Sequence, residues 1–290
     1  MSLAAILLVL LSAVLLTFRD FQTKKSQDKQ VFIWWISFLS LFLFIPFGAY
    51  FYWKDGVDPR FLLIPLAAGF VHCAYWIFYS RAYDHGDLSQ VFPIIRSTPL
   101  LVLLFGTFFL HEQITPIGVV GILLTSLGVY CINLTSLSFR AFLKPFSGLF
   151  KDIHIQFAFL ALLMTGVYAV VDKIGIGHMN PMTYAAVQCG FATLLFSFYM
   201  VAIGKWKLVR TFWKKERSYI LSSGFLTAFN YPLTLFAMSL SAVSYVMSFR
   251  QVGVVLAVLA GGHLLKEKHF GIRLGASLMI FAGVLLIALA

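Results

Sequence analysis

Charged side chains are scarce in this chain. Only 11% of its 290 residues are Asp, Glu, Lys or Arg, against about 25% in an ordinary soluble domain. That shortage excludes a typical soluble fold, and no stretch between the apolar segments is long enough to hold one. Acidic residues are the rarer half, 11 against 22 basic, giving a net charge of +11. The cations fall mainly in connections between apolar segments, where they set orientation and meet anionic headgroups. Nucleic acid is therefore not an expected partner, whereas the lipid bilayer is. Cysteine is limited to Cys73, Cys131 and Cys189, scattered in apolar stretches. They offer neither metal spacing nor a disulfide framework and read as small buried hydrophobes. Also missing are H-E-x-x-H, G-x-S-x-G, a P-loop and any cluster of metal-ligating residues. No enzyme, metal or cofactor is expected, and His72 and His263 stand isolated in apolar spans.

What the chain has instead is apolar length. It is 60% hydrophobic with 31 phenylalanines, and its mean hydropathy is +0.90. Segments of about 18–23 apolar residues recur from end to end, the length a helix needs to cross hydrocarbon. Barrel strands would be shorter and alternating, which excludes a β-barrel. The spacing predicts an all-α membrane protein with ten spans at 2–18, 31–53, 61–81, 88–110, 116–134, 156–175, 181–203, 218–239, 243–264 and 270–289. The N-terminus lacks a basic n-region and a small-residue cleavage site, and reads as a retained first span. Two connections are longer. Residues 136–155 space Phe139, Phe142, Phe146 and Phe150 like an amphipathic interfacial piece. Residues 204–217 hold six cations and two tryptophans and read as a basic interfacial segment.

The chain also repeats itself. Asp87–Pro116 and Ser241–Phe270 are similar stretches in which Arg96 meets Arg250 at an offset of 154. Glu112 meets Glu267, and Gly128 meets Gly283, at 155. This divides the chain into a first repeat (1–135), a linker (136–155) and a second repeat (156–290). Five spans per repeat is an odd number, so the two must enter the membrane from opposite sides. Inverted repeats of this kind build many secondary transporters, with substrate bound near the midplane where the halves meet. Loops on one side hold 17 Lys and Arg, and those on the other hold three. The positive-inside rule puts the 17 in the cytoplasm and both termini outside.

The stretch RAYDHGDLSQVFPIIRSTPLLVLLF (81–105), with the Glu112 and TPIGVVGILLTSLGVY (115–130) that follow, resembles the EamA-type repeat of the drug/metabolite transporter superfamily. Residues 237–283 repeat it less cleanly. Arg81–Arg96 and Val171–Lys173 are similar to a branch associated with phosphonate utilisation. The resemblance implies ten helices in two inverted five-helix repeats, a central cavity, and export or exchange of small metabolites. It implies a bacterial inner membrane protein. It also implies cytoplasmic termini, the reverse of the charge bias.

Within the spans, Arg96 and Arg250 lie about eight and seven residues deep, roughly 10–12 Å below the helix starts. An arginine there costs about 2.5–3.5 kcal/mol on insertion scales, so it faces a wet cavity or a partner. A guanidinium fork suits a carboxylate, phosphate or phosphonate, and both arginines are candidate contacts for a small anionic or zwitterionic solute. Each can instead bond freed carbonyls or reach an interface. Pro93 and Pro99 flank Arg96 and predict a kink there; Gly253 stands where Pro99 does in the other repeat. Tyr75, Trp76 and Tyr79, with Tyr184, Gln188, Asn230 and Tyr231, are candidate cavity-lining groups, or packing and interhelical bonds. Asp172, Glu112 and Glu267 are candidate coupling or gate residues. Asp172 can alternatively pair with Lys173, and the glutamates can sit near the N-termini of spans 5 and 10. Thr115–Pro116 has the pattern of a helix start. Gly118, Gly121, Gly128, Gly271, Gly275 and Gly283 suit close helix packing, inside the fold or in a homodimer. The expected function is a secondary transporter. The alternatives are a flippase for a lipid-linked anionic head group and an intramembrane enzyme acting on a phosphorylated lipid.

Overall fold

A computed structural model of the chain describes residues 1–85, 88–132, 134, 152–256, 258 and 270–290. Glu267, His263, Gly86, Asp87 and almost all of the 136–155 linker lie outside the described residues. The described elements are helices only: α1 (Leu3–Lys25), α2 (Lys29–Asp55), α3 (Leu63–His85), α4 (Leu88–Arg96), α5 (Thr98–Phe109), α6 (Pro116–Cys131), α7 (Ile153–Ile176), α8 (Pro181–Ala202), α9 (Leu208–Leu240), α10 (Val243–Phe249) and α11 (Phe270–Leu289), with two short 3-10 turns. Helical turns resume at 252–256 after α10. Among the described residues, seven segments are long and apolar enough to cross a membrane, and three shorter apolar ones cover Pro93–Phe109, Pro116–Cys131 and Val243–Leu256.

The helices start where the sequence supplies side-chain acceptors for free amides. Ser2, Asp28, Thr115, Asp152 and Asn180 each accept from a backbone N–H two or three residues on. Pro116 and Pro181 fill first-turn positions, where no amide donor is missed. Deep serines and threonines such as Ser37, Ser40, Thr125 and Thr165 bond the carbonyl four residues back, so their hydroxyls are satisfied without water. Large apolar side chains such as Leu7, Leu11, Phe42, Phe108, Phe198, Phe225 and Leu278 face outward, as a chain dissolved in lipid requires.

Several boundaries differ from the sequence reading. The first span does not stop at residue 18, because α1 continues to Lys25 and carries Arg19 and Asp20 inside it. The basic stretch 204–217 is mostly helix rather than loop. It enters α9 and bends at Glu216, whose carboxylate accepts from the Gln27 amide. Val209 and Phe212 are buried there, while Lys207, Arg210, Lys214 and Lys215 are exposed, an amphipathic pattern suited to an interface. Trp206 and Trp213 pack against Trp34 and Trp35.

Packing joins the two halves throughout. α1 lies along α9, α3 along α7, α2 along α8, and α6 along α11. The last pair is close because a Cβ on Gly121 would meet the Gly283 carbonyl at 2.8 Å, and one on Gly128 the Ala276 carbonyl at 2.8 Å. Gly118 makes room for the Tyr245 ring, whereas a Cβ on Gly271 or Gly275 would meet no atom of the described residues within 4 Å. Cys73 and Cys189 are buried, but Cys131 is only partly so.

Candidate functional site

Both deep arginines sit where a helix is broken. α4 ends at Arg96, Ser97 leaves helical geometry (φ −71°, ψ 6°), and α5 starts at Thr98 with Pro99 in its first turn. The break falls between Pro93 and Pro99. α10 ends at Phe249, with Arg250 as its cap residue and turn geometry at Arg250–Gln251. Pro93 removes an amide from α4 and Pro99 cannot continue it, so the freed carbonyls turn towards side chains. Ser97 Oγ donates to the Pro93 carbonyl and Thr98 Oγ1 to the Ile95 carbonyl. No proline stands in the second break. Gly253 lies beside α1 there, and a Cβ on it would meet Thr17 Oγ1 at 2.5 Å and the Ala13 carbonyl at 2.9 Å.

Between the halves lies a cavity of about 160 Å³. It brings together Arg96, Arg250, Tyr75, Tyr79, Gln188, Asn230, Tyr231 and Asp172, from both repeats. Pro93, Pro99 and Glu112 are not on its wall. The cavity also contains residues that sequence reasoning passed over: Arg19, Asp20, His72, Tyr168 and Gln251. Arg19 and Asp20 were missed because hydropathy ends span 1 at residue 18, seven residues before α1 stops.

At one side, Asp20 joins two guanidiniums. Arg96 Nη2 donates to its Oδ2 at 2.6 Å, and Arg19 Nη2 to its Oδ1 at 2.5 Å. All three side chains are about one fifth exposed, at 22% for Arg96, 19% for Asp20 and 24% for Arg19. Arg96 is thus charge-compensated from its own half.

At the other side, Asp172 is buried, with 1% of its side chain exposed. Its Oδ1 accepts from Tyr184 Oη at 2.8 Å and its Oδ2 from Tyr231 Oη at 3.1 Å. Gly175 makes this possible, since a Cβ there would stand 2.0 Å from the Tyr184 ring. The expected Asp172–Lys173 pair is not formed. Adjacent helical residues point about 100° apart, and Lys173 Nζ donates instead to the carbonyls of Met238 and Ser241 at the end of α9. Nor is His72 isolated: its Nε2 is 3.8 Å from Asp172 Oδ2 and its ring stacks on Tyr168 at 4.2 Å.

Arg250 differs from Arg96. Among the described residues it has no carboxylate in ion-pair range. Its Nη1 points at Met247 Sδ, 3.5 Å away, and its buried Nε has no hydrogen-bond partner. Gln188 Nε2 and Gln251 Oε1, of residues lining the same cavity, are likewise buried and unpartnered. Buried polar atoms are nearly always bonded, so three exceptions among the residues lining one cavity mark a place shaped for something polar. Asn230 is committed elsewhere, its Oδ1 accepting from Ser12 Oγ at 2.7 Å across the α1–α9 seam.

Glu112 does not serve the helix expected for it, α6. It follows His111, which takes a left-handed backbone conformation (φ 52°), and it reaches the N-terminus of α10 rather than α6. There it accepts from the amides of Val243 and Ser244 and, at 2.6 Å, from Ser244 Oγ. Gly106 leaves space for it, since a Cβ would meet Glu112 Oε2 at 2.7 Å.

The model of the EamA-like transporter family matches residues 2–134 and again 153–289. The chain belongs to the EamA-like transporter family. It contains two EamA repeats, and with its long apolar helices it is a multi-pass membrane protein. An uncharacterized transporter of Bacillus subtilis (strain 168), YxxF, is 28% identical over 138 residues, which is 48% of this chain and 42% of that relative. The match thus spans less than half of the relative's length. Among solved proteins, one crystal structure superposes on 100% of this chain and 98% of its own, with a TM-score of 0.74 and 16% identity. That likeness is one of fold alone. The family is described as one of transporters.

Proposed function

We propose that this EamA-family protein is a secondary transporter, an exporter or exchanger, that moves a small anionic or zwitterionic metabolite by alternating access. The observation that carries this is the unpartnered trio among the residues lining the cavity. Arg250 Nε and Gln188 Nε2 are donors, and Gln251 Oε1 is an acceptor. An anionic group satisfies the first two, and a hydroxyl or ammonium on the same solute satisfies the third. Arg250 is the better dock because Arg96 already holds Asp20.

In this reading the chain crosses the membrane ten times, the three shorter apolar helices included, as two inverted repeats. The packing supports it. Exchanging each span for its counterpart turns α1 against α9 into α7 against α3, and leaves α2 against α8 and α6 against α11 unchanged. Breaks at corresponding positions of two spans are the usual setting of a midplane site in such transporters. The halves then rock about the cavity, opening it to one side at a time. Arg19 belongs to the cavity and leaves the loop count, yet the cation bias still favours external termini. Phosphonates belong among the first solutes tested, given the stretch around Arg81–Arg96.

The test is a thermal-shift screen of purified protein against amino acids, phosphonates, phosphate esters and lipid head groups. A ligand that binds only the folded state raises its melting temperature with concentration. The expected hit is an anion or zwitterion whose shift vanishes in Arg250→Gln while the ligand-free melting temperature holds. Hits confined to neutral or cationic solutes overturn the reading.

A further inference from the structure

The geometry points to Asp172 and His72 as a one-proton site that is loaded together with the anion at Arg250, so that proton and solute travel in the same direction. This rests on the reading of Arg250 as the anion dock.

The argument starts at the histidine. His72 Nδ1 is 3.0 Å from the Ala68 carbonyl. A carbonyl can only accept, so Nδ1 carries the hydrogen. In the neutral ring Nε2 then holds a lone pair, and that lone pair faces Asp172 Oδ2 at 3.8 Å. A lone pair facing a carboxylate is repulsive. One proton between them removes the repulsion, either as a carboxylic O–H directed at Nε2 or as an imidazolium beside a carboxylate. Both states carry the same charge, so the pair holds one proton or none.

The surroundings leave the pair able to do this. From α8, Tyr184 donates to Asp172, and Cys189 lies nearby in the cavity wall. From α9, Tyr231 donates to the second oxygen. From α3, Tyr75 stands beside Tyr168, and from α7 itself Tyr168 covers the imidazole. Lys173, the neighbouring cation, is bound to carbonyls elsewhere. From the α10 side, Arg250 is the cation whose charge reaches Asp172. Asp20 is occupied by Arg19 and Arg96 across the cavity.

Coupling follows from charge. With the pair empty, the carboxylate offsets part of the field of Arg250, and an arriving anion meets both. When the pair takes one proton from water, that negative charge is gone and Arg250 is free to bind the anion. Each ligand therefore favours the other by the same factor, as linkage requires.

The test has a readout that needs no solute. In infrared difference spectra of the purified full chain, a protonated carboxylic C=O band should decline as pH rises. The band should be absent in Asp172→Asn and unchanged in Asp20→Asn. Tyr231→Phe, which removes a donor to the carboxylate, should move the titration to higher pH and serves if Asp172→Asn does not fold. The second readout uses methanesulfonate, an anion whose own charge is constant across the range. Its affinity should fall about tenfold per pH unit above the midpoint, as one-proton linkage requires, and become independent of pH in Asp172→Asn. A carboxyl band that does not titrate, or is unaffected by both Asp172→Asn and Tyr231→Phe, overturns the proton site whether or not the anion binds. Methanesulfonate affinity that is independent of pH in the wild type overturns the coupling. A titrating band with no methanesulfonate binding at any pH overturns the anion dock and the coupling, and leaves the proton site standing.

Discussion

The two arginines aligned by the internal duplication have reached different ends. Arg96 terminates α4 and closes on Asp20 at 2.6 Å. Arg250 terminates α10 and meets a thioether. Both stand beside a helix break in one cavity, so backbone and depth do not separate them. What separates them is α1 against α7. Asp20 on α1 reaches the first arginine, while Asp172 on α7 is turned to two tyrosines and a histidine. Duplication made two equivalent sites, and the neighbouring helix determined which guanidinium stayed available. One half then supplies a fixed ion cluster and the other a responsive charge.

The sharpest way to break this comparison is to neutralise each arginine in turn. Arg250→Gln should cost solute binding about 3 kcal/mol, roughly a hundredfold, as loss of a charged hydrogen bond does. Its melting temperature should hold, because no ion pair among the described residues is lost. Arg96→Gln should do the reverse, lowering stability with less effect on binding. Asp20→Asn should be the more damaging change in that cluster, since it leaves Arg19 and Arg96 facing one another. Removing one partner of a desolvated pair costs about 3 kcal/mol, and removing both costs less. The double variant Asp20→Asn/Arg96→Gln should therefore recover stability relative to Asp20→Asn alone. Unfolding of all four proteins by denaturant measures this. Additive losses would show that the Asp20–Arg96 contact carries no coupling.

A smaller effect probes the other half. Gly175→Ala puts a methyl group into the Tyr184 ring, and overpacking of this kind costs about 1–3 kcal/mol. Pushing the ring aside to relieve the clash should move its hydroxyl away from Asp172. Melting temperature should fall, and the Asp172 carboxyl band should shift with it. A drop in stability with an unchanged band would mean that the ring tilts without releasing the carboxylate.

Much of this was legible in the sequence, for physical reasons. An intramembrane arginine is costly enough to announce itself, and prolines three residues to either side of Arg96 announce the break. Membrane class and duplication follow from composition and offset alone. The Asp20 cluster was not legible, because a charge near a helix end looks like a loop charge when the end is set by hydropathy. The duplication did hold the missing signal. Arg19–Asp20 precedes Asp172–Lys173 by 153 residues, one short of the offset that pairs the arginines, with the signs reversed. The fate of Glu112 was hidden for another reason. Its partners are amides more than 130 residues away in sequence, and backbone donors leave no trace in side-chain pattern.

Glu112 offers the finest test of how the halves communicate. It belongs to the first repeat, yet it holds the first turn of α10, seven residues before Arg250. Its carboxylate bonds two free amides and the Ser244 hydroxyl, and a negative charge there also meets the positive end of the helix. Glu112→Gln keeps the size and one acceptor oxygen but removes the charge, so stability should fall by only about 1 kcal/mol. If α10 is a rigid lever for Arg250, solute affinity should weaken by a few-fold as well. The loss should be absent in an Arg250→Gln background, where the lever has nothing to place. Equal losses in both backgrounds would mean that Glu112 acts on the cavity by some route other than Arg250.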